Sequence, residues 1–336
     1  MSTPITLRKD SAEASTKTND KRSLFERIDF ASYAPLIALI VLFIVSSFAS
    51  EYFLSTRNIT NIMRQVSYTG IIAIGATFVI IAAGIDLSVG SMVALVGVVA
   101  IYAMNSVGGE ISGVLTGISV AIVFGSLLGA LNGFIVTKGR VTAFIVTLAT
   151  MSIFRSMALY LSDAGEVISR NNLYPEIGGG YFLSIPYPVW VFFILAVAAH
   201  ILLRYTAFGR HVCAVGSNQN VARYSAINVS RITFFTFVIA GFCVGVSAVL
   251  LSSRLNSVSP GDMGAFFELD AIAAVVIGGT SLAGGRGTIV GTVIGALILG
   301  IINNMLNMLD VSAYLQGLVK GLVILIAVLL QYKNNK

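Results

Sequence analysis

An all-α polytopic membrane protein of about ten transmembrane helices is the fold class this sequence predicts. Three observations carry that reading: the composition, the recurrence of long apolar runs, and the segregation of cations to one side of the membrane. Of the 336 residues, 56% are hydrophobic and only 11% are charged, with a mean hydropathy of +0.90. A soluble domain carries about 25% charged residues, so most of this chain is built to meet lipid or other apolar helices. The net charge of +6 does not indicate a nucleic-acid partner, because the cations lie in short segments between apolar runs and not on a basic domain. Cys213 falls on a polar segment and Cys243 inside an apolar run, which argues against a disulfide framework.

Runs of about 17–25 apolar residues span a bilayer as helices. In order, such runs lie near 31–49, 66–83, 87–106, 111–136, 141–161, 186–203, 232–252, 269–283, 287–308 and 313–331. Together they predict a single transmembrane domain over 31–331. Residues 1–30 are polar and charged without an apolar core, so they predict a disordered cytoplasmic tail and no cleavable signal peptide. Residues 332–336 form a second cytoplasmic tail. The junction at 84–86 is either a cytoplasmic turn or the tip of a helix broken inside the membrane.

Orientation follows from the positive-inside rule. With the N-terminus inside, fifteen of the 21 Lys and Arg residues fall on the cytoplasmic side. Four (Arg57, Arg64, Arg170 and Arg254) fall outside, and Arg155 and Lys320 lie within spans. A single missed span would invert every later loop, so the asymmetry supports an even span count and two cytoplasmic termini. The outer loops are acidic or polar instead, with Glu51, Glu110, Asp163, Glu166, Glu176 and Asp262.

Residues 204–231 interrupt this pattern with a polar island of 28 residues. It is longer than a helix hairpin needs and too short to be a domain. Helical, basic and cytoplasmic, it suggests a surface on which another protein docks. Glycine supplies a packing signal. Gly125, Gly129 and Gly133, Gly287, Gly291 and Gly295, and the pairs Gly241/Gly245 and Gly317/Gly321 repeat the four-residue spacing that lets helices touch backbone to backbone.

Several chemistries are missing. The chain has no G-x-x-x-x-G-K-[ST] nucleotide loop, no H-E-x-x-H and no G-x-S-x-G, and only two histidines, His200 and His211. An enzyme is therefore poorly supported. Self-driven ion-coupled transport needs ionisable groups deep in the spans, and the few candidates (Asp86, Arg155, Glu268, Asp270 and Lys320) mostly fall near span ends, where they can snorkel.

Three stretches stand out. In Gly84-Ile-Asp-Leu-Ser-Val-Gly-Ser91, Asp86 and Ser88 either cap the following helix or form a hinge lining a pathway. From Gly129 to Met151, Asn132 lies within a span and Lys138-Gly-Arg140 forms a basic cytoplasmic turn. Thr142, Thr147 and Thr150 either line a hydrophilic path or bond their own helix backbone. From Glu268 to Thr288, two acids at the outer face lead into five glycines within ten residues (278, 279, 284, 285 and 287), a poor ordinary helix and a candidate broken or re-entrant segment.

These three motifs, in order over about 31–331, resemble the ribose-type permeases of bacterial ABC sugar importers. The resemblance implies a type II ABC importer-like permease bundle of ten spans in the bacterial inner membrane, among membrane lipid. It also implies a homodimer or heterodimer of permeases, a cytoplasmic ABC ATPase and a periplasmic sugar-binding protein. ATP and magnesium would then be held by the ATPase, with no cofactor or metal on this chain. The island corresponds to the ATPase-coupling loop of the family, through Gly209, Arg210, Gly216, Asn218, Arg223 and Ser225. The chain departs from the family pattern at Val221 and Ala226, where relatives often carry Ala and Gly.

A neutral sugar needs hydroxyl and amide walls, so Ser88, Asn132, Asn303 and Asn304 are expected on the path, or Asn303-Asn304 as a helix–helix hydrogen-bonded pair. Asp86, Glu268 and Asp270 are expected as gating or anchoring groups. The competing functions are an ion-coupled secondary carrier, a solute channel, or an ABC importer of a polyol or signalling sugar.

Overall fold

The computed structural model describes residues 30–334; the predicted tail at 1–29 and the last two residues of the C-terminal tail lie outside the described residues. Residues 35–334 belong to one compact unit. Helix dominates: α1 (Phe30–Ala49), α2 (Thr56–Ile81), α3 (Val89–Val107), α4 (Glu110–Gly139), α5 (Ala143–Leu161), α6 (Tyr174–Gly179), α7 (Tyr187–Tyr205), α8 (Ala207–Ser217), α9 (Gln219–Tyr224), α10 (Val229–Leu255), α11 (Phe267–Ile277), α12 (Ile289–Met308) and α13 (Ala313–Asn334). Four two-residue strands, β1 (Val167–Ile168), β2 (Tyr181–Phe182), β3 (Ile185–Pro186) and β4 (Ser257–Val258), complete the described elements.

Seven helices among the described residues are long and apolar enough to cross a membrane: α2, α3, α4, α5, α7, α10 and α12. Helices α2 and α3 are buried over most of their length, whereas α4, α5 and α7 are largely exposed. The first pair therefore forms the centre, and the others present apolar side chains outward. Helix α2 starts ten residues before its predicted run. Ser55 caps it by accepting the Asn58 backbone N–H at 3.3 Å, and its first turns carry Arg57, Asn58, Thr60, Asn61 and Arg64, which hid the helix from an apolar count.

The glycine spacing predicts close helix packing, and most of it serves that purpose. Between α4 and α10, a side chain on Gly125 would lie 2.6 Å from the Gly241 carbonyl, and one on Gly129 would strike the Phe237 carbonyl. On the α11–α12 seam, Gly291 faces the Gly278 carbonyl and Gly295 the Ala274 carbonyl. Gly317 and Gly321 depart from the expectation, since among the described residues no neighbouring atom lies within 4 Å of where their side chains would begin.

The predicted span at 269–283 is also corrected. Only Phe267–Ile277 is helical there, 11 residues, or about 16 Å at 1.5 Å per residue against a hydrocarbon core of about 30 Å. The crossing is instead built in two pieces. Residues 257–266 enter from the outer end, where β4 pairs antiparallel with β1 (Val258 opposite Val167), and descend without helix along α3. Val258 and Met263 lie beside Gly97, and Gly264 beside Gly90 in the first turn of α3. Helix α11 completes the crossing and ends in the glycine turn, where Gly279, Gly284 and Gly285 take φ of +87°, +87° and +77°.

Non-helical backbone inside a bilayer needs partners from the protein. Arg155 supplies two: its Nη1 donates to the Pro260 carbonyl at 2.6 Å and the Met263 carbonyl at 2.9 Å. This cation points inward to hold a broken crossing and does not snorkel to a headgroup. Glu268 and Asp270 are displaced accordingly. They occupy the first turn of a half-helix within the bundle, both buried, with Glu268 packed against Gly90, and not the outer face.

Candidate functional site

The island resolves into two short helices because three polar residues each cap the helix that begins beside them. Thr206 accepts the Gly209 N–H at 3.3 Å and starts α8. Asn218 accepts the N–H groups of Asn220 and Val221 at 2.9 and 3.1 Å and starts α9. Asn228 accepts the Arg231 N–H at 2.9 Å and starts α10. Such caps satisfy helix N–H groups that have no partner within the helix. The flanking spans absorb the ends of the island, with Arg204 in α7 and Arg231 in α10.

The six residues expected to couple to an ATPase divide between two faces. Gly209 and Gly216 are buried, whereas Arg210, Asn218, Arg223 and Ser225 are exposed. Gly209 lies against the Leu203 carbonyl, and Gly216 against the Ile81 carbonyl at the end of α2. That same carbonyl accepts the Gly285 N–H at 2.8 Å. A side chain on Gly285 would lie 3.0 Å from the Ser217 nitrogen, and one on Gly284 would lie 2.8 Å from the Ala83 Cβ. Thus α8, the end of α2 and the glycine turn after α11 meet at one junction.

Sequence reasoning missed Tyr224, 90% exposed on α9, and noted Val221, 58% exposed, only as a departure from the family pattern. For Tyr224, its position on one short polar helix was the only available signal. Half-buried Cys213 on α8 has its thiol pushed up by burial, so it is a poor nucleophile. Next to the island, a cleft of about 800 Å³ is lined by residues that include Thr137, Arg140, Thr142, Gln219, Arg223 and Ser230. The segments that charge counting puts inside therefore gather at one end of the bundle.

Asp86, Ser88 and Asn132 come together although 44 positions separate the last two. Asp86 Oδ1 accepts the Ser88 N–H at 2.9 Å and the Ser88 hydroxyl at 2.6 Å, and Asn132 Nδ2 donates to the Ser88 Oγ at 2.8 Å. All three are buried. Thr147 Oγ1 donates to the Ile85 carbonyl at 3.1 Å as well as to its own helix, so the break between α2 and α3 is fastened to α4 and α5. Helix α3 has no side-chain cap bond at Ser88; the acid organises the turn that precedes it.

Asn303 and Asn304 part company. Asn304 exchanges two amide hydrogen bonds with Asn58, at 2.7 and 3.1 Å, and ties α12 to α2. Asn303 instead lines a cavity of about 370 Å³ together with Asp270. Lys320 Nζ donates to Asp270 Oδ2 at 3.0 Å in that cavity wall. At the outer end, a recess of about 760 Å³ gathers Arg57, Arg64 and Arg254 with Tyr181 and Ser184. Three of the four outer cations thus line one recess, although the outer loops as a whole read as acidic.

Residues 58–328 match the family described as branched-chain amino acid transport system / permease component. The chain is 46% identical over 297 residues to the ribose import permease protein of Haemophilus influenzae, covering 87% of this chain and 90% of that one. It is 42% identical over 324 residues to the ribose import permease protein of Escherichia coli K12, covering 95% and 99%. It is 43% identical over 323 residues to that of Bacillus subtilis, covering 95% and 98%. No solved structure matches the chain. These relatives are permease subunits, so the part played here is translocation and not catalysis, and a partner supplies ATP hydrolysis. The buried hydroxyl–amide network, the broken crossing and the cytoplasmic junction are the parts of a transport protein, and the chain belongs to this permease family as a multi-pass inner-membrane subunit of the ribose-type ABC importer class.

Proposed function

We propose that this chain forms the membrane path of an ATP-driven importer that receives ribose, or a closely related monosaccharide, from a periplasmic binding protein. The relatives support the sugar. The mechanism rests on one observation: the buried side of the polar island is seated on the ends of two interrupted helices, α2 and α11, through Gly216, Ile81 and Gly285. ATP and Mg²⁺ are bound by the partner ATPase, which docks on the opposite side of the island. Arg210, Arg223, Val221 and Tyr224 suit that role, because Tyr and Arg dominate interface energetics.

Closure of the ATPases moves α8, and α8 moves the glycine turn and the break at 82–88. Ser88 and Asn132 offer hydroxyl and amide groups beside that break, with Asp86 as anchor and Glu268 packed against Gly90 in the first turn of α3. Alternation between outward and inward access follows from a shift between two packings of the same bundle. At the outer end the arginine recess receives an acidic loop of the binding protein. Arg64 is already oriented for this by its bond to the Gly179 carbonyl at 3.0 Å and by stacking over Tyr181 at 4.5 Å. A second permease, identical or related, completes the path, with the exposed leucines of α13 at 315, 318, 322, 325 and 329 facing it or lipid.

The test is radiolabelled ribose uptake into vesicles that hold this chain with its ATPase and binding protein. Uptake is expected to need all three components and ATP, and to survive an ionophore. Uptake by this chain alone would overturn the reading. Competition by arabinose, xylose and polyols then ranks the substrates.

A further inference from the structure

We propose that the cavity of about 370 Å³ between α2, α10, α11, α12 and α13 is a binding subsite for a neutral polyhydroxylated solute, contained within one permease chain. The inference rests on the sugar-importer reading above and adds a place where the sugar pauses. The volume falls within the range of about 300–1,000 Å³ found for small-molecule sites. Beside Thr69, six side chains give the wall its polarity: Gln65, Tyr68, Arg254, Asp270, Asn303 and Lys320. They supply both donors and acceptors, as a ring of hydroxyls requires, because each hydroxyl both gives and accepts.

One wall group is buried and unsatisfied, and a second is poorly satisfied. Tyr68 is 2% and Asn303 8% exposed; Asn303 Oδ1 makes no hydrogen bond to any described residue, and the Tyr68 hydroxyl faces the Arg254 guanidinium without a well-formed hydrogen bond. Buried polar atoms are normally paired because the water they lose must be replaced. A solute hydroxyl donating to Asn303 Oδ1 and bonding the Tyr68 hydroxyl would replace it. Ionisable groups inside a membrane protein also mark pathways more often than structure. Here Asp270 and Lys320 neutralise one another at 3.0 Å, which leaves Arg254 as the remaining charged donor of the wall.

Access is built in. Arg254 lines both this cavity and the outer arginine recess, so one side chain separates the receiving surface from the subsite. On the inner side the cavity is bounded by Phe267 and Asp270, at the start of half-helix α11. The far end of that helix is the glycine turn touched by α8. A solute held here lies against the element that the cytoplasmic junction moves.

The test uses the full chain in lipid nanodiscs with Thr69→Cys on the cavity wall, and D-ribose as the probe. Modification of the new thiol by a small water-soluble thiosulfonate is followed, with the unaltered chain giving the background of Cys213 and Cys243. Ribose at tens of millimolar is expected to slow modification about fivefold or more by occupancy, and glycine betaine at the same concentration is not. Adding Tyr68→Phe, and separately Asn303→Leu, should each remove most of that protection; Tyr68→Phe keeps the ring and so keeps the wall. Modification that ribose does not slow overturns the subsite, as does protection that survives both substitutions. Ribose uptake by the intact transporter is read in parallel. Uptake without protection overturns the subsite alone, whereas no uptake overturns the ribose reading and the subsite's ligand with it.

Discussion

Ala226 takes φ of +60° between α9 and α10, where an L residue with a side chain is strained by roughly 1–2 kcal/mol. Glycine removes that strain but loses more entropy on folding, about 0.5–1 kcal/mol. Ala226→Gly should therefore stabilise the protein by up to about 1 kcal/mol, read as a small rise in the melting temperature of the detergent-solubilised chain. A fall would show that the turn is held by side-chain contacts of Ala226. The departure from the family pattern was legible at this position, and its meaning was not, because a backbone angle cannot be read from residue identity. Asn303 and Asn304 teach the same lesson. Adjacent in sequence, they point about 100° apart on a helix, so one bonds Asn58 and the other enters a cavity. Their amides were recognisable as pathway or packing groups, but which did which depended on the neighbours of α12.

Helices meet through glycine where their backbones are closest, and the α4–α10 seam makes the test direct. Gly129→Leu would drive a side chain into the Phe237 carbonyl, and overpacking of this kind costs about 1–3 kcal/mol or more. Gly317→Leu enters open space and should change stability by no more than about 0.5 kcal/mol. Thermal unfolding of the two variants checks the contrast, and equal losses would contradict it. Both glycines have the same sequence spacing, so spacing alone could not separate them. Helix α11 shows a different limit. Its glycine cluster announced a break, but only the tertiary structure shows that the segment before the helix is a run of non-helical turns held by Arg155, a residue drawn from another helix 105 positions away.

At the scale of the whole molecule, the proposed coupling from the ATPase to the path has a compact physical route. Gly216, Ile81 and Gly285 join α8 to α2 and to the turn after α11. Gly216→Ala places a methyl group on the Ile81 carbonyl and must push the island outward. Sugar uptake is expected to fall about tenfold, within the range of typical coupling free energies of about 1–3 kcal/mol. The uptake loss should exceed any loss of ATP hydrolysis by the assembled transporter; proportional losses would mean that the residue serves docking and not transmission.

Composition and apolar runs were enough to determine a polytopic membrane protein with a polar island at 204–231, because both follow from transfer energies that each residue carries with it. The three motifs were enough to indicate the permease class. Which of the polar residues face one another was decided by the tertiary structure alone. Ser88 with Asn132, Asp270 with Lys320, and Arg155 with the Pro260 carbonyl are pairings between distant segments. They exist because a buried polar group must find a partner wherever the packed bundle offers one.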